Sequence, residues 1–106
     1  MERAPTPRGP GPVVLDLGRD IGAAVVHAPR SLAGREIEIR RAGEPWDGRH
    51  ASVRARHTGP GEIHAAVFES LERGWWEVRL RGAAGSPPAC RFEVDGGQVT
   101  HAQLTA

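Results

Sequence analysis

Lysine, asparagine and tyrosine are absent from this 106-residue chain, and cysteine occurs once, at position 90. A lone Cys90 excludes an internal disulfide, so the fold must be held by burial and backbone pairing. Without lysine, all fourteen basic residues are arginine, set against thirteen acids for a formal charge of +1. So close a balance excludes a long-range field that would steer the chain to nucleic acid or anionic lipid. The arginine bias follows the codon usage of a high-GC genome as well as it follows selection for guanidinium chemistry, so it carries little functional weight. The longest apolar run is about five residues, where crossing a bilayer takes roughly 20. The opening MERAPTPRGPGP has no secretory apolar core. We therefore expect a cytoplasmic protein with no membrane span. No segment has a helical period either, which removes any phosphate loop that opens a helix.

What the chain does have is glycine and proline, 14 and 9 of them, spaced as frequent turns require. Met1 to Pro12 has no periodicity and reads as a flexible arm, so the folded domain is expected to span residues 13–106. Val13, Leu15 and Leu17 alternate with polar or small residues as a first strand. The run Gly22 to Ala28 has no polar face, which suits a strand covered on both sides. Pro29 and Gly34 bound a loop, and REIEIRR from Arg35 then sets Ile37 and Ile39 against Glu36, Glu38 and Arg40. His50 to His57 reads as one strand with Ala51, Val53, Ala55 and His57 on a single face. Further on, Ala66, Phe68 and Leu71, then Trp76, Val78 and Leu80, share an apolar side if the phase resets at Glu72-Arg73-Gly74. After the loop Gly82 to Pro88, Cys90, Phe92 and Val94 face the core, and Gly96-Gly97 makes a hairpin into Val99 to Leu104.

Pro60-Gly61 suits the centre of a type II turn. Built on that turn, the hairpin sets Val53 opposite Phe68, Ala55 opposite Ala66 and His57 opposite His64. A register one residue shorter would send Phe68 outward, which costs more apolar burial, about 1 kcal/mol. Seven to eight short strands with Gly/Pro turns predict an all-β chain, a single Greek-key sandwich.

The pattern Ala66-x-Phe68-x-x-Leu71-x-x-Gly74-x-Trp76-x-Val78, with the closing run VDGGQVTHAQL, resembles the prealbumin-like sandwiches, among them transthyretin-like and carboxypeptidase-regulatory-like domains. The likeness covers the last half of the chain, with Ala66 at a position usually aromatic and Trp76 where the family has tyrosine. The whole chain also resembles short bacterial proteins that open with VLDLGxDIGA, continue with GREIEI and are labelled phospholipase. That label implies lipid or ester hydrolysis. The Cys-stapled frame, calcium loop and His-Asp pair of secreted phospholipases do not stand in this sequence.

Three sets of residues carry candidate chemistry. His57 and His64, as cross-strand neighbours with Cβ atoms about 5 Å apart, would chelate Cu or Zn, with Glu62 as a third ligand. The alternative is two part-exposed histidines at the end of a sandwich. Cys90 and His101 are expected close together on the last two strands, where a buried inert thiol competes with a metal ligand. Trp75 turns outward when Trp76 turns in, and with Arg79 and Arg54 it is a candidate partner surface; simple packing over arginine stems is the other reading. Ser31, Ser52, Ser70 and Ser86 lie in no nucleophile motif, so no catalytic residue is assigned. The sequence is best described as a non-catalytic interaction or accessory module, with a protein partner or a second copy expected, metal binding as the alternative, and hydrolysis on the label alone.

Overall fold

A computed structural model describes residues 20–82 and 88–104. The arm at residues 1–12, the strand expected from Val13 to Leu17 and most of the loop after Gly82 lie outside the described residues. Among the described residues eight strands form two four-stranded sheets, an all-β sandwich. The strands are β1 (Ile21–His27), β2 (Glu36–Arg41), β3 (His50–Ser52), β4 (Arg54–Thr58), β5 (Gly61–Glu72), β6 (Gly74–Leu80), β7 (Cys90–Val94) and β8 (Val99–Gln103). Sheet I has the order β4-β5-β1-β8 and sheet II the order β3-β2-β6-β7. After β1 the chain lays down antiparallel pairs alternately, β2-β3 in sheet II, β4-β5 in sheet I and β6-β7 in sheet II. β8 then closes sheet I by pairing parallel to β1.

Alternation decides which side chains fill the space between the sheets. Ala24, Val26, Ala66, Phe68, Leu71, Ala102 and Leu104 point in from sheet I; Ile37, Ile39, Trp76, Val78, Phe92 and Val94 meet them from sheet II. Each large aliphatic or aromatic side chain buried this way contributes about 1.5–3 kcal/mol. Buried Trp76 keeps its indole N–H satisfied by donating to the Glu72 carbonyl at 2.8 Å. β1 lies in the middle of sheet I between β5 and β8, which accounts for its lack of a polar face.

Two local features set the phase of the core. Ser70 has φ 58° and marks a bulge: Ala24 pairs with Phe68, yet Gly22 pairs with Leu71, so one extra residue is absorbed and Leu71 turns inward after Phe68. The phase therefore resets at Ser70, before the corner expected at Glu72-Arg73-Gly74. Gly74 makes that corner at φ 134°. Gly22 matters for a different reason. A Cβ there would lie 2.7 Å from Val94 Cγ1 and 2.8 Å from the Gln98 carbonyl, and would clash with the Asp95 carbonyl, so only glycine lets β1 pass under the β7–β8 connection.

The segment His50 to His57 is not one strand. β3 belongs to sheet II and β4 to sheet I, and the chain crosses between them at Val53, whose backbone pairs with Gly34 and Arg35 at 2.8 and 2.9 Å. Val53 is buried at the crossing, so an apolar residue fits there just as it would in a continuous strand. The β4–β5 register also differs from expectation: Ala55 faces His64, His57 faces Glu62 and Thr58 faces Gly61. The tight turn is Gly59-Pro60, closed by the Thr58 hydroxyl donating to the Gly61 carbonyl at 3.0 Å. This register is displaced by two residues from the expected one, which moves every partner but leaves every face unchanged, so Ala66 and Phe68 still point inward. At the other end, Gly96-Gly97 does not form a hairpin. It carries the chain from sheet II to sheet I, with the Gly97 N–H bonded to the Ile21 carbonyl at 2.8 Å.

Candidate functional site

The outer face of sheet II is built from the polar half of each alternating strand. Glu38 of β2 sits between Arg79 at 2.8 Å and Arg81 at 3.5 Å, and is 9% exposed. The Arg79 guanidinium holds its carboxyl below the ordinary glutamate value against the opposing effect of burial. Arg40 bonds Glu77 at 2.9 Å. Trp46, from the β2–β3 loop, lies on this face between the Arg40 and Arg79 guanidinium groups, 4.3 and 4.1 Å from its ring centroid. Stacked cations of this kind contribute about 0.5–1 kcal/mol each at a partly open site.

Glu36 collects the next row. Its two oxygens meet Ser52 Oγ at 2.5 Å and His50 Nδ1 at 2.7 Å, and first the Ser52 bond, then the His50 bond, hold its carboxyl low. A serine, a histidine and a carboxylate thus meet on one surface, but the carboxylate takes both donors. In a hydrolytic triad the imidazole stands between the hydroxyl and the acid and removes the hydroxyl proton. Here the Ser52 hydroxyl donates directly to Glu36, and the His50 imidazole does not stand between them.

Trp75 is the open part of this face. It is 47% exposed, the ring of Trp76 beside it having turned into the core, and Arg91 of β7 lies over it at 4.9 Å. Its cross-strand partner is Glu93. Of the other two residues assigned to a partner surface, Arg79 shares the face but is engaged by Glu38 and Trp46. Arg54 lies on β4 in sheet I, opposite Ala65, and so faces the other side of the sandwich. Arg56 lies with Arg54 on β4 in sheet I, whereas Arg79 and Arg81 both engage Glu38 of sheet II.

The histidines fall into three places. His57 faces Glu62 and stands diagonal to His64 instead of opposite it; His64 Nε2 is 3.9 Å from Glu62 Oε1. Among the described residues no three His, Cys, Asp or Glu side chains group closely enough to hold a metal ion. His50 is on sheet II, bound to Glu36. Cys90 and His101 do not face each other, because Cys90 turns toward the core and His101 turns away from it. Cys90 packs against the core from sheet II, where burial pushes its thiol above the ordinary value, and His101 is on the outer face of sheet I.

His101 instead meets His27. Their rings stack at a centroid distance of 5.2 Å and 27° between planes, with His27 Nε2 2.9 Å from His101 Nδ1. Burial, and then the neighbouring imidazole, lower the His27 pKa. The two residues are far apart in sequence and meet only because β8 pairs parallel to β1, so no local spacing signals the pair. Near the β2–β3 loop, Ile39, Arg41, Pro45, Asp47, Arg49 and Trp76 help line an open cleft of about 270 Å³. Arg41 and Arg49 stand over the Trp76 ring there, held by Glu72 and the Glu69 carbonyl.

Among the described residues no helix is long and apolar enough to cross a membrane. Comparison with known protein families, curated proteins and solved structures gives no match.

Proposed function

We propose that the chain is a small non-catalytic interaction module that self-associates through the outer face of sheet II around Trp75. The observation that carries this reading is the 47% exposure of a tryptophan on a face where Glu36, Glu38 and Glu77 are all engaged by neighbouring side chains. Paired charges tie up the polar groups of that face, and an exposed aromatic ring beside them is the kind of group that dominates interface energetics. The neighbours of Trp75 carry both signs, Arg91 and Glu93, so the patch is complementary to a second copy of itself across a two-fold axis. We read the sandwich as prealbumin-like. This is supported by Ala66, Phe68, Leu71, Trp76 and Val78 all facing inward around the Gly74 corner. Size-exclusion chromatography with light scattering on wild type and Trp75→Ala tests the proposal. Wild type is expected to pass from monomer to dimer with rising concentration, and Trp75→Ala to remain monomeric; an invariant monomer for both would overturn it.

A further inference from the structure

We propose that His27 is a pH-sensitive latch for the C-terminal strand: β8 stays docked along β1 while the His27–His101 imidazole pair carries at most one proton, and its end opens more often once both rings are charged. The latch lies on sheet I and does not rest on the Trp75 reading.

Three of the last four described residues converge on His27. Its ring Nε2 lies 2.9 Å from His101 Nδ1, and its backbone carbonyl accepts from the Leu104 N–H at 2.7 Å and from the Gln103 side-chain amide at 3.4 Å. β8 is an edge strand whose strand neighbour among the described residues is β1, so this end hangs on the His27 contacts and on what it buries. The other end is tied separately, by the Thr100 hydroxyl donating to the Glu93 carbonyl at 2.9 Å. Leu104 is fully buried, so the docked state dominates, and protonation changes how often the end opens without changing the fold.

Proton counting sets the direction. With both rings neutral, one nitrogen donates and the other accepts. One added proton leaves a single acceptor lone pair in place, and the bond survives with a charged donor. A second proton removes that lone pair and sets two N–H groups and two positive charges against each other at hydrogen-bond distance. The surroundings do not relieve this. Among the described residues the charged side chains on this face are Arg54 and Arg56 of β4 and Glu69 of β5. Arg54 shares the cross-strand row of Ala65 and His27, whereas Glu69 stands two rows off, beyond Val67. His57, Glu62 and His64 have the opposite parity and face the other way. Burial first, and then His101, lower the His27 pKa from its ordinary 6.5, so the opened end takes up a proton more readily than the docked one. The docking contribution is therefore complete above pH 6.5 and is lost as pH falls from there through the folded value. The Glu36 and Glu38 carboxylates act only below 4.5, which separates their effect from that of the latch.

Amide hydrogen exchange followed by NMR on the full chain, corrected for the intrinsic rate at each pH, tests the proposal. In wild type the protection of the Leu104 amide should fall at least about threefold between about pH 7.5 and pH 5, while that of the Ala28 amide, bonded to the His64 carbonyl on the other side of β1, stays within about twofold. The His27 ring signals should titrate below the ordinary value and move toward it in His101→Gln. In both His27→Gln and His101→Gln the change at Leu104 should shrink to less than about twofold, with circular dichroism at neutral pH showing that the variants fold. Leu104 protection that is constant in wild type, that falls together with Ala28, or that falls as far in both variants as in wild type would overturn the latch. A wild-type His27 midpoint at or above the ordinary value would overturn it with no variant needed.

Discussion

On the outer face of sheet II, Glu36, Glu38 and Glu77 each have a hydroxyl, imidazole or guanidinium partner, and even Trp46 is held between two arginines. On the outer face of sheet I, Val25, Val67 and the partly exposed Val99 lie beside the His27–His101 pair, and other polar side chains there, Arg56 and Gln103, bond backbone carbonyls. The difference follows from the strands that make each face. β2 and β6 alternate charged and apolar residues, so pairing them aligns opposite charges in rows. β1 is apolar on both sides, so the sheet around it has few charges to pair. One face engages its polar groups with one another and leaves an aromatic ring open; the other joins two ring nitrogens across parallel strands.

The contrast can be tested by perturbing the scaffold both faces share, then each face. Gly22→Ala should have the largest effect, because the added methyl meets backbone at Asp95 and Gln98. We expect a loss of about 3 kcal/mol in urea unfolding, felt by both faces alike. Next, Glu38→Gln removes the charge that joins Arg79 and Arg81 and should cost about 2 kcal/mol, whereas His101→Gln on sheet I should change stability by less than about 0.5 kcal/mol.

Acid should act on sheet II through the same carboxylates. Glu36 and Glu38 have folded pKa values below the 4.5 of the free side chain. Their stabilisation is therefore present above pH 4.5 and is lost as pH falls from there through the folded values. A midpoint series at successive pH values checks this, and Glu38→Gln should flatten the acid limb. Trp46→Ala, which leaves Arg40 and Arg79 without their shared ring, should cost about 1 kcal/mol.

How much of this was legible in the sequence depends on how far the determining contact lies along the chain. Ile37, Ile39, Trp76, Val78, Phe92 and Val94 declare their faces by alternation, and the two-sheet sandwich follows from them. The phase resets at Ser70, between Phe68 and Leu71, and not at the expected Glu72-Arg73-Gly74 corner, because serine is a rare choice for positive φ and gives no signal there. The β4–β5 pairing shows the limit clearly. Hydrophobicity fixes the parity of a register, so Phe68 was placed inward correctly. Only the turn fixes the partners, and Gly59-Pro60-Gly61 offers two turns. A turn at Pro60-Gly61 would set His57 opposite His64; the turn at Gly59-Pro60 sets it opposite Glu62. Val53 hid the crossing between sheets because no glycine or proline marks it. The His27–His101 pair was not legible at all, since it depends on a parallel return across most of the chain.

The claim that the sandwich works through the Trp75 face is tested most directly by sedimentation velocity on wild type and Trp75→Ala at matched concentrations. Wild type should shift toward twice the chain mass as concentration rises, and Trp75→Ala should stay at the monomer mass with an unfolding midpoint unchanged. A wild-type monomer at every concentration, or a dimer that survives Trp75→Ala, would contradict it.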